Sequence, residues 1–169
     1  YLSNKTTLEN LQPGTTYYYQ VEGKEIESFT TDDDTSDFSF IFVGDPQIGS
    51  SNEEKAKTPE DIQKPTFLTA QSEAVRNYTL NRAYSRTGNS AGFILSSGDQ
   101  IQTNAEKVED GTVSEMEYAG YLSPDIMKSV PVATTVGNHD ADNANYTYHF
   151  NTANLSSLGD NGYVGGDYY

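Results

Sequence analysis

An α/β fold built on parallel strands is predicted, and three features of the chain carry that prediction. Short apolar runs end in a glycine followed by an oxygen-bearing side chain at three places, stretches with helical periodicity separate them, and the runs are rich in β-branched and aromatic residues. The runs are Phe38–Val43 before Gly44-Asp45-Pro46-Gln47, Phe93–Ser97 before Gly98-Asp99-Gln100, and Val132–Val136 before Gly137-Asn138-His139-Asp140. Strand, helix, strand, helix, strand is the βαβ pattern, whose crossovers make a sheet parallel and bury it on both faces. In such sheets ligands bind outside the carboxyl ends of the strands, so the three polar segments are expected to converge.

Taken in order, Leu8 to Val21 and Glu27 to Thr31 read as two strands rich in tyrosine and threonine. For Tyr17, Tyr18 and Tyr19 taken singly, a plain amphipathic hairpin suffices. As a pair, the segments resemble the end of a fibronectin type III-like sandwich, in which a corner tyrosine bonds back to upstream backbone. Residues 1–31 are thus expected to be the C-terminal part of such a β-sandwich, 32–37 an acidic linker, and 38–169 the N-terminal half of a second domain. Ile48 to Lys64 is polar and reads as a loop over the strand ends.

Pro65 is expected to open a helix whose apolar stripe is Phe67, Gln71, Ala74 and Tyr78, with Leu68 and Val75 alongside, and Gly88 to stop it. A second helix spans Thr112 to Leu122, with Val113, Met116 and Gly120 on one face and Thr112 and Glu115 as a capping box. Pro124 to Lys128 makes a final turn before the third strand. Glu106, Glu109, Asp110, Glu115 and Glu117 read as a solvated loop and helix face, with an extra cation site as the functional alternative.

Among 169 residues there is no cysteine, which excludes disulfides and thiolate metal sites. A formal charge of -15 argues against nucleic acid or an anionic membrane as partner, since phosphates are held by Lys and Arg. No apolar run approaches the ~20 residues of a membrane span. The acidic, Asn/Ser/Thr/Tyr-rich composition suits an extracellular or cell-surface protein of bacterial type. Sequons at Asn4, Asn77, Asn145 and Asn154 are compatible with a glycoprotein instead.

The segments Gly44-Asp45-Pro46-Gln47, Gly98-Asp99-Gln100 and Gly137-Asn138-His139-Asp140, in that order, resemble the calcineurin-like metallophosphoesterases, and within them the purple acid phosphatases. The resemblance implies a partial metallophosphoesterase α/β sandwich and a site for two divalent ions (Mn, Mg, Zn or Fe) that hydrolyses phosphate esters of small molecules. It implies that Asp45 and Asn138 each bind one ion and that Asp99 bridges both. His139 would contact the phosphate and protonate the leaving oxygen, and Asp140 would orient His139.

Two positions depart from the family pattern. Gln47 stands where many members have histidine and is placed to offer an amide oxygen to the first ion, while Gln102 replaces the tyrosine that colours purple acid phosphatases. The histidines of the family's later VxxH and GHxH motifs do not occur before Tyr169. Tyr146 to Asn151 and Gly165 to Tyr169 resemble the start of the next strands, so the chain is expected to carry half of a metal site. Monoester hydrolysis is the first reading. A phosphodiesterase or nucleotidase of the same fold, or a noncatalytic surface module that has lost its ions, are the alternatives.

Overall fold

The computed structural model describes residues 4–33, 37–50, 74–103, 112–141, 144–151, 154–156 and 164–166. Two strands, β1 (Thr16–Gln20) and β2 (Ile26–Thr30), form an antiparallel hairpin. A three-stranded parallel sheet follows, made of β3 (Ser39–Val43), β4 (Ala91–Ser96) and β5 (Val132–Thr134) in the order β3-β4-β5. Helix α1 (Ala74–Arg86) precedes β4; helix α2 (Thr112–Leu122) and a 3-10 turn (Asp125–Lys128) precede β5. After β5 come a short helix α3 (Ala144–His149) and an antiparallel pair, β6 (Asn154–Ser156) with β7 (Val164–Gly166). The architecture is mixed α/β, with parallel strands where the apolar runs placed them.

Among the described residues one face of that sheet is covered, against the expectation of burial on both. Ile41 of β3 and Ile94 of β4 lie side by side in a core with Leu80 of α1, Ile126 of the 3-10 turn, and Val130. Along the other face Phe40 and Phe93 stack at 5.2 Å with their rings 5° from parallel, and Phe42 remains 63% exposed. The difference has a packing cause. Helix α2 packs beyond the strand ends instead of over this face, giving Tyr118 and Tyr121 to a second core with Ile48, Ile101, Tyr146 and Phe150.

Helix α1 also turns a different face inward. Tyr78 is exposed and receives a hydrogen bond from Arg82 at 2.7 Å, whereas Leu80, Ala83 and Tyr84 pack on the sheet. The spacing of Leu80, Ala83 and Tyr84 is the i, i+3, i+4 stripe that one helix face requires. Phe67, Leu68 and Gln71 lie outside the described residues. Gly88, with φ +69°, ends the helix as expected.

Helix α2 has the predicted bounds but a wider buried face, comprising Val113, Ser114, Glu117, Tyr118 and Tyr121, with Met116 only half-buried. Its acidic residues are not a solvated face: Glu117 is fully buried and Glu115 pairs with His149 at 3.1 Å. Glu106, Glu109 and Asp110 lie outside the described residues, as does the Thr112 side chain.

Tyr146 to Phe150, expected to begin a strand, lies in and just after α3. Tyr146 and Phe150 are four apart and both buried, with ring centroids at 4.8 Å, a contact that helical spacing makes and strand alternation would not. Lys5 caps this helix, its ammonium donating to the carbonyls of Thr147 and Phe150. Asn145 within the same helix donates its side-chain amide to the buried Ser114 hydroxyl at 3.1 Å, so the nitrogen a glycan would need is engaged in packing.

The hairpin is tied to the 3-10 turn by Tyr19, which donates to Lys128 O at 2.8 Å, and by a Lys128–Glu27 ion pair at 3.3 Å. Tyr17 accepts a hydrogen bond from Gln12 N–H at 2.8 Å, five residues upstream. No helix among the described residues is long and apolar enough to cross a membrane.

Candidate functional site

Three loops leave the carboxyl ends of β3, β4 and β5, and backbone hydrogen bonds join the first two. Asp45 N–H donates to Gly98 O at 3.3 Å, Gln47 N–H to Asp99 O at 2.9 Å, and Ile48 N–H to Gln100 O at 3.1 Å. The pairing continues as an isolated parallel bridge between Ile48 and Ile101, both buried. The third loop closes on the second, where His139 N–H donates to Asp99 Oδ1 at 2.9 Å. Asp45, Gln47, Asp99 and His139 therefore stand on loops in direct contact. Asn138 is carried beside them on an exposed position between Gly137 and His139.

Backbone conformation sets these residues apart. Asp45, Gln47 and Asp99 all adopt positive φ, at 52°, 36° and 49°. A non-glycine residue in that region is uncommon, and strained backbone of this kind concentrates at functional sites. Asparagine and aspartate tolerate this region best, so Asp45 and Asp99 adopt it at less cost than Gln47, as do Asn10 and Asn89, the two further examples among the described residues. The turn of the second loop is shared by Gly98, at φ +99°, and Asp99, whereas that of the first falls on Asp45 and Gln47. Gly44 and Gly137 do not have positive φ; they are small because their neighbours crowd them. A Cβ on Gly44 would lie 2.5 Å from Ser97 Oγ, and one on Gly137 would overlap both the carboxylate and the backbone nitrogen of Asp99.

The His139 ring has a defined partner. Its Nδ1 is 2.7 Å from Gln102 O. A carbonyl only accepts, so Nδ1 carries the proton of that bond and Nε2 is the nitrogen left to exchange one.

Asp140, expected to orient His139, is turned elsewhere. It is 1% exposed, with Oδ2 accepting from Gly137 N–H at 3.1 Å and Gln100 N–H at 3.3 Å, and Oδ1 accepting from the Tyr118 hydroxyl at 3.0 Å. It pins the second and third loops to α2 from below. Burial raises its pKa, the three donors pull it down, and the nearby Asp99 charge pushes it up again. Burial likewise raises the Tyr118 hydroxyl far above the usual phenol range, helped by the Asp140 charge and the hydrogen bond to it.

One further carboxylate touches these loops. Glu117 on α2 accepts Thr103 N–H on Oε2 at 2.7 Å, and a Cβ on Gly49 would overlap its carboxylate oxygen and come within 2.8 Å of its Cδ. Gly49 follows the first loop and Thr103 the second, so Glu117 sits behind both. Its signal in the sequence was its register: three and four residues from Ser114 and Val113 and four from Tyr121, it falls on the buried face of α2.

The donor set of Asp45, Gln47, Asp99 and Asn138 is entirely oxygen, which matches hard divalent cations such as magnesium or manganese in donor type. Among the described residues no group of three or more His, Cys, Asp or Glu side chains could hold a metal ion, and two of these four donors are amides outside that grouping. A cleft of about 790 Å³, lined by Thr31, Asp32, Ser39, Asn89 and Ala91 among others, lies at the opposite, amino ends of the strands. Comparison with family models, with curated proteins and with solved structures finds no match to the chain.

Proposed function

We propose that the chain carries part of a metal-dependent phosphoesterase centre, resembling that of the calcineurin-like metallophosphoesterases, and that it acts on phosphate monoesters. The observation that supports this reading is the meeting of three strand-end loops on Asp99, with Asp45, Gln47 and Asp99 each held at positive φ. Asp45 and Gln47 would hold one divalent ion, Asn138 a second, and Asp99 both. When bound, such a pair supplies Lewis acidity at the phosphoryl oxygens and lowers the pKa of an attacking water.

The chain's own groups perform the remaining work. His139, with Nδ1–H directed at Gln102 O, gives the Nε2 proton of its imidazolium form to the departing alkoxide oxygen as the P–O bond breaks, and is left as the neutral Nδ1–H ring. Asp140 does not enter this step; it fixes the loop that carries His139 by bonding Gly137 and Gln100 N–H.

The test is hydrolysis by the full-length protein with added manganese, magnesium or zinc, using a simple alkyl phosphate monoester and the corresponding diester. Monoester turnover that disappears in Asp99→Ala supports the reading. Preference for the diester would move the assignment to a phosphodiesterase, and no turnover of either by protein that binds the ions would favour a noncatalytic module.

A further inference from the structure

Glu117 and His139 bond to the same peptide group from opposite sides. The Gln102–Thr103 peptide offers its carbonyl to His139 Nδ1 at 2.7 Å and its N–H to Glu117 Oε2 at 2.7 Å. A peptide group is planar and rigid, so fixing the N–H fixes the direction in which the carbonyl lone pairs point. The two bonds also reinforce each other: a carboxylate that draws on the N–H strengthens the carbonyl as an acceptor, more so in a low-dielectric interior. A carboxylate on a helix thereby reaches an imidazole it does not touch.

Burial makes this arrangement meaningful. Glu117 is fully buried on α2, where an ionisable side chain costs free energy unless its position requires one. Its carboxylate lies against Gly49, where any side chain would displace it, and Gly49 itself sits at φ +93°. Ile48 N–H and Gln102 N–H exchange bonds with Gln100 O and Ile48 O at 3.1 and 3.0 Å, so the strip between the two loops is already stitched by backbone. What the backbone ladder leaves unfixed is the rotation of the Gln102–Thr103 peptide at its end, and Glu117 fixes it.

We infer that Glu117 is a positioning residue for His139, holding the Gln102 carbonyl so that Nδ1–H stays bonded to it and Nε2 is the nitrogen that takes up a proton and delivers it to the leaving group. This rests on the phosphoesterase role proposed for His139, and it assigns to α2 a part in the chemistry that neither the ligand set nor Asp140 supplies.

Two variants separate positioning from bulk. Glu117→Gln keeps the shape and an oxygen that can accept Thr103 N–H; Glu117→Met keeps the volume without the acceptor. The first readout is the ¹⁵N spectrum of His139 in full-length protein loaded with zinc, at a pH where the ring is neutral, assigned by comparison with His139→Ala. Wild type and Glu117→Gln are expected to show a protonated Nδ1 and a bare Nε2, the reverse of what imidazole prefers in water, and Glu117→Met a mixture of the two.

The second readout is leaving-group dependence. Glu117→Met should lose up to about 10²-fold in turnover on alkyl phosphates, as misplacement of a catalytic group does, and little on nitrophenyl phosphate. The loss should vanish in a His139→Ala background, since residues acting as one unit are not additive. An unchanged tautomer in Glu117→Met, or full additivity with His139→Ala, would overturn the inference while leaving the phosphoesterase reading intact. Equal loss by His139→Ala on both kinds of ester would instead remove the role of His139 on which the inference stands.

Discussion

Asp99 and Gly137 lie on different loops, yet a single methyl group on Gly137 would overlap the Asp99 carboxylate and its backbone nitrogen. The second and third loops approach this closely because His139 N–H reaches Asp99 Oδ1 at 2.9 Å and Asp140 Oδ2 reaches back to Gln100 N–H at 3.3 Å. Gly137→Ala is therefore expected to cost about 1–3 kcal/mol in stability, the usual effect of overpacking. Urea denaturation of the full-length protein should show a lower midpoint at unchanged slope, together with weaker metal binding because Asp99 is the group displaced.

His139→Ala should slow hydrolysis of alkyl phosphates by about 10²–10⁴-fold while leaving metal content near that of wild type, since His139 is assigned a proton rather than an ion. The loss should shrink on nitrophenyl phosphate, whose leaving group needs no proton. Steady-state kinetics on the two substrates, with metal analysis of the same preparation, checks this.

Replacing the Tyr118 hydroxyl tests the support beneath the loops. Tyr118→Phe removes one of three donors to the buried Asp140 carboxylate and is expected to cost about 1 kcal/mol. The pH dependence follows from the raised phenol pKa, whose largest cause is burial. A group raised in the folded state contributes its full stability below its unfolded value, here 10.0, and loses it as pH climbs above that value. The gap between wild type and variant should stay constant to about pH 10 and narrow beyond it, as measured by denaturation at stepped pH.

In the hairpin, two of the three consecutive tyrosines, Tyr17 and Tyr18, should respond differently. Tyr17→Phe leaves Gln12 N–H without the oxygen it meets at 2.8 Å and should cost about 1 kcal/mol, whereas Tyr18, 75% exposed, should tolerate Phe with little change. Thermal melts of the two variants check the difference.

The loops were legible in the sequence because each strand ends in a glycine and an oxygen-bearing residue, a local signal that survives folding almost unchanged. Strand bounds moved by one or two residues at most ends, as with Ala91–Ser96 against the expected Phe93–Ser97. What the sequence hid were buried polar groups. Glu117 sits in a charge-rich stretch, so charge pointed to solvent, while its register on α2 pointed inward and prevailed. Tyr146, Tyr148 and Phe150 alternate as a strand would, but the contact that stabilises them is Tyr146 on Phe150 one helical turn apart. Asp140 beside His139 invited a pairing between neighbours; the chain turned the carboxylate to three donors from other segments instead.

The central claim is that Asp99 gathers the loops around a pair of divalent ions, and metal stoichiometry tests it most directly. Full-length protein purified, dialysed against manganese or zinc and freed of excess ion should carry two ions per chain, and Asp99→Ala, folded by circular dichroism, should carry almost none. Wild-type protein that binds no ion, or an Asp99→Ala protein that keeps both, would contradict the account.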